Sequence, residues 1–308
     1  MSESLRIGSR RSRLALTQSE LVQRSIEKLS RRQCQIIPVD TKADLTPERP
    51  LPEIGAKGLF TAELEEMLID GRIDIAVHSL KDLPTALPAG LTIGAIGKRE
   101  DPRDVMVSNS AKSFDQLSAG ARVGTGSIRR AAQLKSIRPD VMITPIRGNV
   151  PTRLDKLDAG DYDGIILAAA GLNRLNLSGR ITYAFSPAQL CPAPGQGALG
   201  IECRADDNTT IDLLESCVHD PLSALCCHAE RLVLAALDSG CNAPLGVHAQ
   251  IVHGELVLRS VVAAPDGSTT VRSIRRGPPG DAELIAHAAV QELIDGGADR
   301  IIAAARES

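Results

Sequence analysis

Twice along this chain, apolar runs of strand length alternate with segments of helical period. Leu5-Arg6-Ile7-Gly8 reads as a first strand, and Ser12 is placed to cap a helix with Leu14, Leu21, Val22, Ile26 and Leu29 as its apolar face. Residues 34–39 read as a second strand, 61–70 as a helix and 73–77 as a third strand. This βαβα order implies a parallel sheet covered on both faces. The pattern restarts near residue 102, with strand candidates at 105–107, 122–124, 141–146 and 164–169 and helices starting near Ser127 and Thr152. Residues 199–203 read as a strand returning to the first half. From about Pro221 the style changes to a helix at 222–237, strands at 247–252, 255–262 and 269–275, and a last helix at 281–295. Turns at His253-Gly254 and Pro265-Asp266-Gly267 make this an antiparallel α+β pattern. The expected division is residues 1–98 with 198–217, residues 102–194, and residues 220–308.

The loops between the runs carry the chemistry. Of 35 basic residues, 27 are Arg. Many sit in loops marked by glycine or serine, such as Gly8-Ser9-Arg10-Arg11-Ser12, Gly124-Thr125-Gly126-Ser127-Ile128-Arg129-Arg130 and Arg147-Gly148-Asn149-Val150-Pro151-Thr152-Arg153. A loop entering a helix presents free N–H groups and partial positive charge, and a guanidinium there holds a carboxylate or phosphate in two parallel bonds. The plain alternative is a set of solvated helix faces. Placement favours one ligand with many negative groups. Open α/β sheets bind ligands at the carboxyl ends of their strands, and the arginine loops fall there in both halves. The fold class expected is therefore two doubly wound α/β lobes, resembling hinged type II binding proteins with one cleft lined from two sides, plus a small C-terminal antiparallel-sheet and helix domain.

Charge excludes some partners. The formal net charge is -3 and the pI about 6.1, against a nucleic-acid binder that needs a broad cationic surface. Aromatics are 2%, too few for base stacking. No apolar run approaches a bilayer span, and the start, Met1-Ser2-Glu3-Ser4, leads straight into a strand, so a cytoplasmic protein without membrane contact is expected, and a monomer because no large apolar patch declares itself. Seven cysteines without regular spacing read as reduced thiols, and Cys226-Cys227-His228 is too tight for zinc, so no metal is expected.

Two further segments stand out. In Ala76-Val77-His78-Ser79-Leu80-Lys81-Asp82-Leu83-Pro84 a buried strand ends in polar residues. Read as extended chain, Lys81 and Asp82 point to opposite sides. They fit a surface ion pair or turn as well as a site. His78 fits a strand-end hydrogen bond better than a catalytic base. A carboxylate among arginines stays ionised and suits stabilising a cation formed during reaction. Cys241, in Gly240-Cys241-Asn242-Ala243-Pro244, is the one cysteine in a Gly/Asn/Pro loop, whereas the others fit structural positions.

Together with Gly55-Ala56-Lys57-Gly58, Arg99-Glu100-Asp101-Pro102-Arg103-Asp104 and Gly195-Gln196-Gly197, these motifs in this order resemble the porphobilinogen deaminase (hydroxymethylbilane synthase) family from about residue 5 to 300. The resemblance implies a transferase that joins four porphobilinogen molecules head to tail into hydroxymethylbilane, with loss of ammonia, in tetrapyrrole (haem-type) biosynthesis. It implies a dipyrromethane cofactor attached through a thioether to Cys241. It implies Asp82 as the catalytic residue, stabilising the azafulvenium cation left when ammonia departs. Cofactor contacts fall on Lys81, Asp82, Ser127, Arg129, Arg130, Arg153, Gln196 and Gly197. Substrate contacts fall on Arg10, Ser12, Gln18, Arg147 and Arg174, and Lys57 lies on a mobile loop. The family's usual Thr-Ser-Ser is Thr125-Gly126-Ser127 here, so one hydroxyl is absent, and residues 42–53 are only loosely alike.

Two other readings remain at this point. A binding protein that captures a polyanion needs neither Asp82 nor a thiol in the third domain. A regulatory anion sensor would use the third domain as a partner surface, but no apolar stripe in residues 247–300 calls for one.

Overall fold

The computed structural model describes residues 4–41, 61–237 and 243–307. The chain gathers into two compact units, Met1–Glu100 with Ala198–Ala224, and Asp101–Gly197 with Leu225–Ser308.

The first unit is built on β1 (Leu5–Arg10), β2 (Cys34–Val39), β3 (Ile75–Ser79), β4 (Leu91–Ile96) and, after the excursion through the second unit, β10 (Leu199–Arg204). Its sheet has the order β2-β1-β3-β10-β4. β1 runs parallel to β2 and β3, and only β10 is antiparallel to its neighbours. Alternation along β3 sends Ile75 and Val77 to one face, beneath α1 (Arg13–Ser30) and α6 (Asn208–Cys217). Ala76 goes to the other face, where α2 (Ala62–Ile69) lays down Leu64 and Leu68. The sheet is thus doubly wound.

The second unit repeats the plan. β5 (Asp104–Val107), β6 (Arg122–Gly124), β7 (Met142–Thr144), β8 (Gly164–Ala168) and β9 (Tyr183–Ala184) form a sheet of order β7-β6-β8-β5-β9, with β5 as the antiparallel strand. Met106, Val123 and Ile166 pack under α3 (Ile128–Ile137). Val105, Ile165 and Leu167 pack under α4 (Val150–Asp158) and α5 (Ala169–Arg174). In each sheet the antiparallel strand opens the segment that has just crossed from the other unit.

The same unit holds a small domain in which α7 (Pro221–Ala236), α8 (Ala282–Asp295) and α9 (Ala298–Glu307) cover one face of an antiparallel sheet. Its strands are β11 (Leu245–Val252), β12 (Glu255–Ala263) and β13 (Thr270–Gly277), in that order. It seats closely on the second lobe. A Cβ on Gly246 would lie 2.6 Å from the Cys191 carbonyl oxygen, so only glycine permits this approach.

Two expectations are corrected. Leu21 and Leu29 are 42% and 61% exposed, and α1 instead buries Ala15, Gln18, Ser19, Val22 and Ile26. The helix is turned so that Gln18 reaches the end of β3. The strand expected at 73–77 lies at Ile75–Ser79, because Ile73 belongs to the turn before it and fills the α2 side of the core. β4, β9, α6 and α9 carry too short or too ambiguous a period to be read in advance.

Candidate functional site

In the first unit, predicted residues from distant parts of the chain meet at the carboxyl ends of β1 and β3. Arg10 closes β1, and Ser12 caps α1 by accepting from the Ala15 N–H at 3.3 Å. Gln18, one turn further on, is buried and donates through Nε2 to Ser79 Oγ at 3.0 Å. Arg10, Ser12, Gln18, His78, Ser79 and Asp82 line one cavity of ≈ 80 Å³.

The segment after β3 is not extended. Leu80–Asp82 forms a 3₁₀ turn, fixed by the Leu80 N–H donating to the Ala198 carbonyl and the Leu83 N–H to that of Leu80. Leu80 and Leu83 are buried and act as pegs. Lys81 and Asp82 therefore leave the chain about a third of a turn apart rather than on opposite sides. Asp82 is exposed at the cavity and Lys81 half-buried.

His78 was read as a strand-end residue, and its surroundings are unusual. Its Nε2 lies 3.1 Å from Glu202 Oε2, with both side chains almost wholly buried. Glu65, on α2, joins them. Burial raises its carboxyl above the usual range, and Glu202 adds to the rise.

In the second unit, the arginine loops occupy the carboxyl ends of β6 and β7, and Arg174 closes the helix that follows β8. Ser127 caps α3, and Asn149 caps α4 by accepting from the Thr152 N–H at 3.0 Å. Arg129 and Arg130 are buried and share the carboxylate of Asp104, at 0% side-chain exposure. Arg129 Nη1 donates to Asp104 Oδ2 and to the Cys191 carbonyl, both at 2.6 Å. Arg130 bonds Asp104 Oδ1 through Nε and Nη2, and the Ile166 carbonyl through Nη1. Burial alone would raise the Asp104 carboxyl, but Arg129 and Arg130 hold it well below the usual range. Gln196 Nε2 adds a bond to Asp104 Oδ1 at 2.9 Å. The next residue, Gly197, offers its carbonyl to Arg174 Nη2 at 2.6 Å.

Arg153 has no acidic partner among the described residues. Its Nε donates to the Gly148 carbonyl at 2.7 Å, and Gly148, at φ +111°, holds a conformation suited to glycine. Burial pushes the Arg153 guanidinium down to about 10, with Arg130 and Arg147 adding repulsion. Arg153 thus takes repulsion from two neighbouring guanidiniums with no acid paired to it among the described residues, whereas Arg130 is held by Asp104. The sum favours carboxylates or phosphates from a ligand.

Cys241 and Lys57 lie outside the described residues. Among described cysteines, burial pushes the thiols of Cys34, Cys191 and Cys203 up, to about 11, 12 and 11. Cys217, Cys226 and Cys227 are buried. A thiol so held is a poor nucleophile. No group of three metal-binding side chains occurs among the described residues, and no described helix is long and apolar enough to cross a membrane.

Asp104, Glu202, Glu65 and Glu230 escaped the sequence reading as site elements. Glu230 is buried on α7 and accepts the N–H groups of Gly195 and Ala249 at 2.6 and 2.7 Å, which fixes the turn carrying Gln196. An acid inside a strand or helix has no local signal of its role, although Asp104 did stand in a motif quoted above.

Residues 5–212 match the family described as porphobilinogen deaminase, dipyromethane cofactor binding domain. Residues 224–295 match the porphobilinogen deaminase C-terminal domain. Among solved structures, a nutrient binding protein from Burkholderia cenocepacia bound to methionine is similar at 12% identity and a TM-score of 0.44, over 70% of this chain and 92% of that one. A periplasmic substrate-binding protein of an ABC transporter from Coxiella burnetii is similar at 14% identity and a TM-score of 0.45, over 71% and 95%.

Proposed function

The chain belongs to the porphobilinogen deaminase family, and from that premise we propose how its residues divide the work. The enzyme polymerises porphobilinogen into hydroxymethylbilane in tetrapyrrole biosynthesis, and carries a dipyrromethane cofactor in the domain matched at residues 5–212. Every ring of substrate and cofactor bears an acetate and a propionate. The observation that carries the proposal is the half-buried Arg153, repelled by Arg130 and Arg147 and with no acid paired to it among the described residues. Such a cluster fits a ligand rich in carboxylates. When bound, the dipyrromethane supplies the primer on which the first substrate is joined.

Arg129, Arg130, Arg153, Lys81, Ser127, Gln196 and Gly197 would hold the cofactor. Arg130 is prealigned by Asp104, so its position does not depend on the ligand. Ser127 and Gly197 offer caps and turns that position rather than react. Arg10, Ser12, Gln18, Arg147 and Arg174 would receive substrate and the growing chain. Asp82, exposed at the cavity, would face the cation formed when the C–N bond of porphobilinogen breaks, and a carboxylate aimed there lowers that barrier electrostatically. Cys241 would carry the cofactor. The raised thiols of Cys34, Cys191 and Cys203 support this by disfavouring those alternatives.

The intact mass of the purified chain tests the assignment. An excess equal to two linked pyrrole units, lost in Cys241→Ser, is expected. An active preparation of unmodified mass would overturn it.

The separate cores of the three sheets support three domains, residues 1–98 with 198–217, 102–194 and 220–308. The net charge of -3 supports a small-molecule partner rather than a nucleic acid or membrane. We read the enzyme as a cytoplasmic monomer, to be checked by sedimentation and by fractionation of cells.

A further inference from the structure

We infer that His78, backed by Glu202 and Glu65, holds the proton that must be moved in each condensation. This rests on the function proposed above. His78 is one of the residues that line the Asp82 cavity, while its Nε2 is sealed inside, 3.1 Å from Glu202 Oε2. Behind it, both oxygens of Glu202 and Oε1 of Glu65 are buried without a hydrogen bond among the described residues. Ionised carboxylates are not left in that state unless a proton or counter-charge is shared among them. Glu65 is the member that burial drives towards its protonated form.

The register explains the cluster. His78 and Ala76 share the α2 face of β3, and Glu202 pairs with Ala76 across the β3–β10 ladder. Glu202 and His78 are therefore diagonal neighbours on one face, within reach of long side chains. Glu65 comes down from the helix that covers that face. The charged or titratable groups facing His78 are Glu202 from β10, Glu65 from α2, Arg10 at the end of β1 and Asp82 in the turn after β3. α1 contributes the uncharged Leu14, Ala15 and Gln18 to the cavity.

The reaction needs one proton to be parked and returned. The C–N bond of the aminomethyl group breaks with its electron pair leaving on ammonia. The pyrrole α-carbon of the growing chain then bonds to the resulting methylene. Its C–H bond breaks, the electron pair restores the aromatic ring, and the proton passes to His78. Ammonia takes that proton and departs as ammonium, so no net proton is consumed. Asp82 lies beside the cation, and His78 makes the proton transfer.

The test uses loaded holoenzyme of wild type, His78→Gln and Glu202→Gln, with cofactor content checked by mass. With porphobilinogen deuterated at its free α-carbon, His78→Gln should show a larger isotope effect on kcat than wild type and a kcat about 10²-fold lower. In ¹⁵N-histidine holoenzyme without substrate, the His78 signal should titrate in step with the acid limb of kcat. In Glu202→Gln the imidazolium loses its counter-charge, so limb and titration should move together to lower pH. An unchanged isotope effect in His78→Gln, or an acid limb that stays in place in Glu202→Gln while wild type makes hydroxymethylbilane, overturns the inference alone. If His78→Gln does not fold, the Glu202→Gln shift decides. A wild type that makes no hydroxymethylbilane would sink the function itself.

Discussion

Arg130 grips Asp104 with two nitrogens, Nε at 2.9 Å and Nη2 at 2.7 Å, in a place where the Asp104 side chain has no solvent exposure. Arg129 and Arg130 are thus anchored before any ligand arrives. Removing the acid would strand two buried cations. Asp104→Asn should cost about 3–5 kcal/mol of stability in urea unfolding.

The same pair sets an acid limit. Asp104 is depressed in the fold, so its contribution is complete above the unfolded carboxylate value, roughly 3.9, and is lost as pH falls below it towards the lower folded value. Wild-type stability should therefore fall more steeply below about pH 4 than that of Asp104→Asn. Parallel curves would show that the depression contributes nothing.

Asp82→Ala should leave the fold and the attached cofactor intact, since the Asp82 side chain is exposed and its turn is held by Leu80 and Leu83. Turnover should fall about 10²–10³-fold, the scale for losing one aligned electrostatic group. Near-normal turnover with full cofactor content would remove Asp82 from the chemistry.

Arg153→Gln should separate stability from function. The substitution relieves repulsion from Arg130 and Arg147, so unfolding should need as much urea as in wild type or more. Hydroxymethylbilane formation should drop. A variant that is less stable yet fully active would contradict the ligand role.

Gly126 sits where space is short. A Cβ there would lie 3.0 Å from the Ile146 carbonyl oxygen, in the loop that leads to Arg147. Gly126→Ala should destabilise by about 1 kcal/mol through overpacking, measured as a shift in the unfolding midpoint. An unchanged midpoint would mean the loop yields freely.

What could be read in advance was local. Ser12 and the strand–helix alternation announce themselves within a few residues, and the structure has both. Arg10, Ser12, Gln18 and Asp82 were associated only through the motif order, and they line one cavity. The face of α1 was misjudged because hydrophobic period cannot register a glutamine that belongs inside for its bond to Ser79. The turn at Leu80–Asp82 was taken as extended because its fixing partner, Ala198, is far away in sequence. Asp104 and Glu202 were missed as site elements for the same reason. Their partners come from other strands and helices, and no spacing along the chain records that.

The antiparallel strand β10 has a consequence for synthesis. It sits between β3 and β4 in the finished sheet, yet it leaves the ribosome about a hundred residues after β4. At 5–20 residues per second that is a wait of roughly 5–20 s, with the inner edge of β3 unpaired. Nascent chains arrested before Leu199 are expected to be cut readily by protease in the first lobe, and chains extended past Arg204 to resist. Until then the strand that leads into Asp82 is an open edge, so the first lobe is begun before the second and closed only after it.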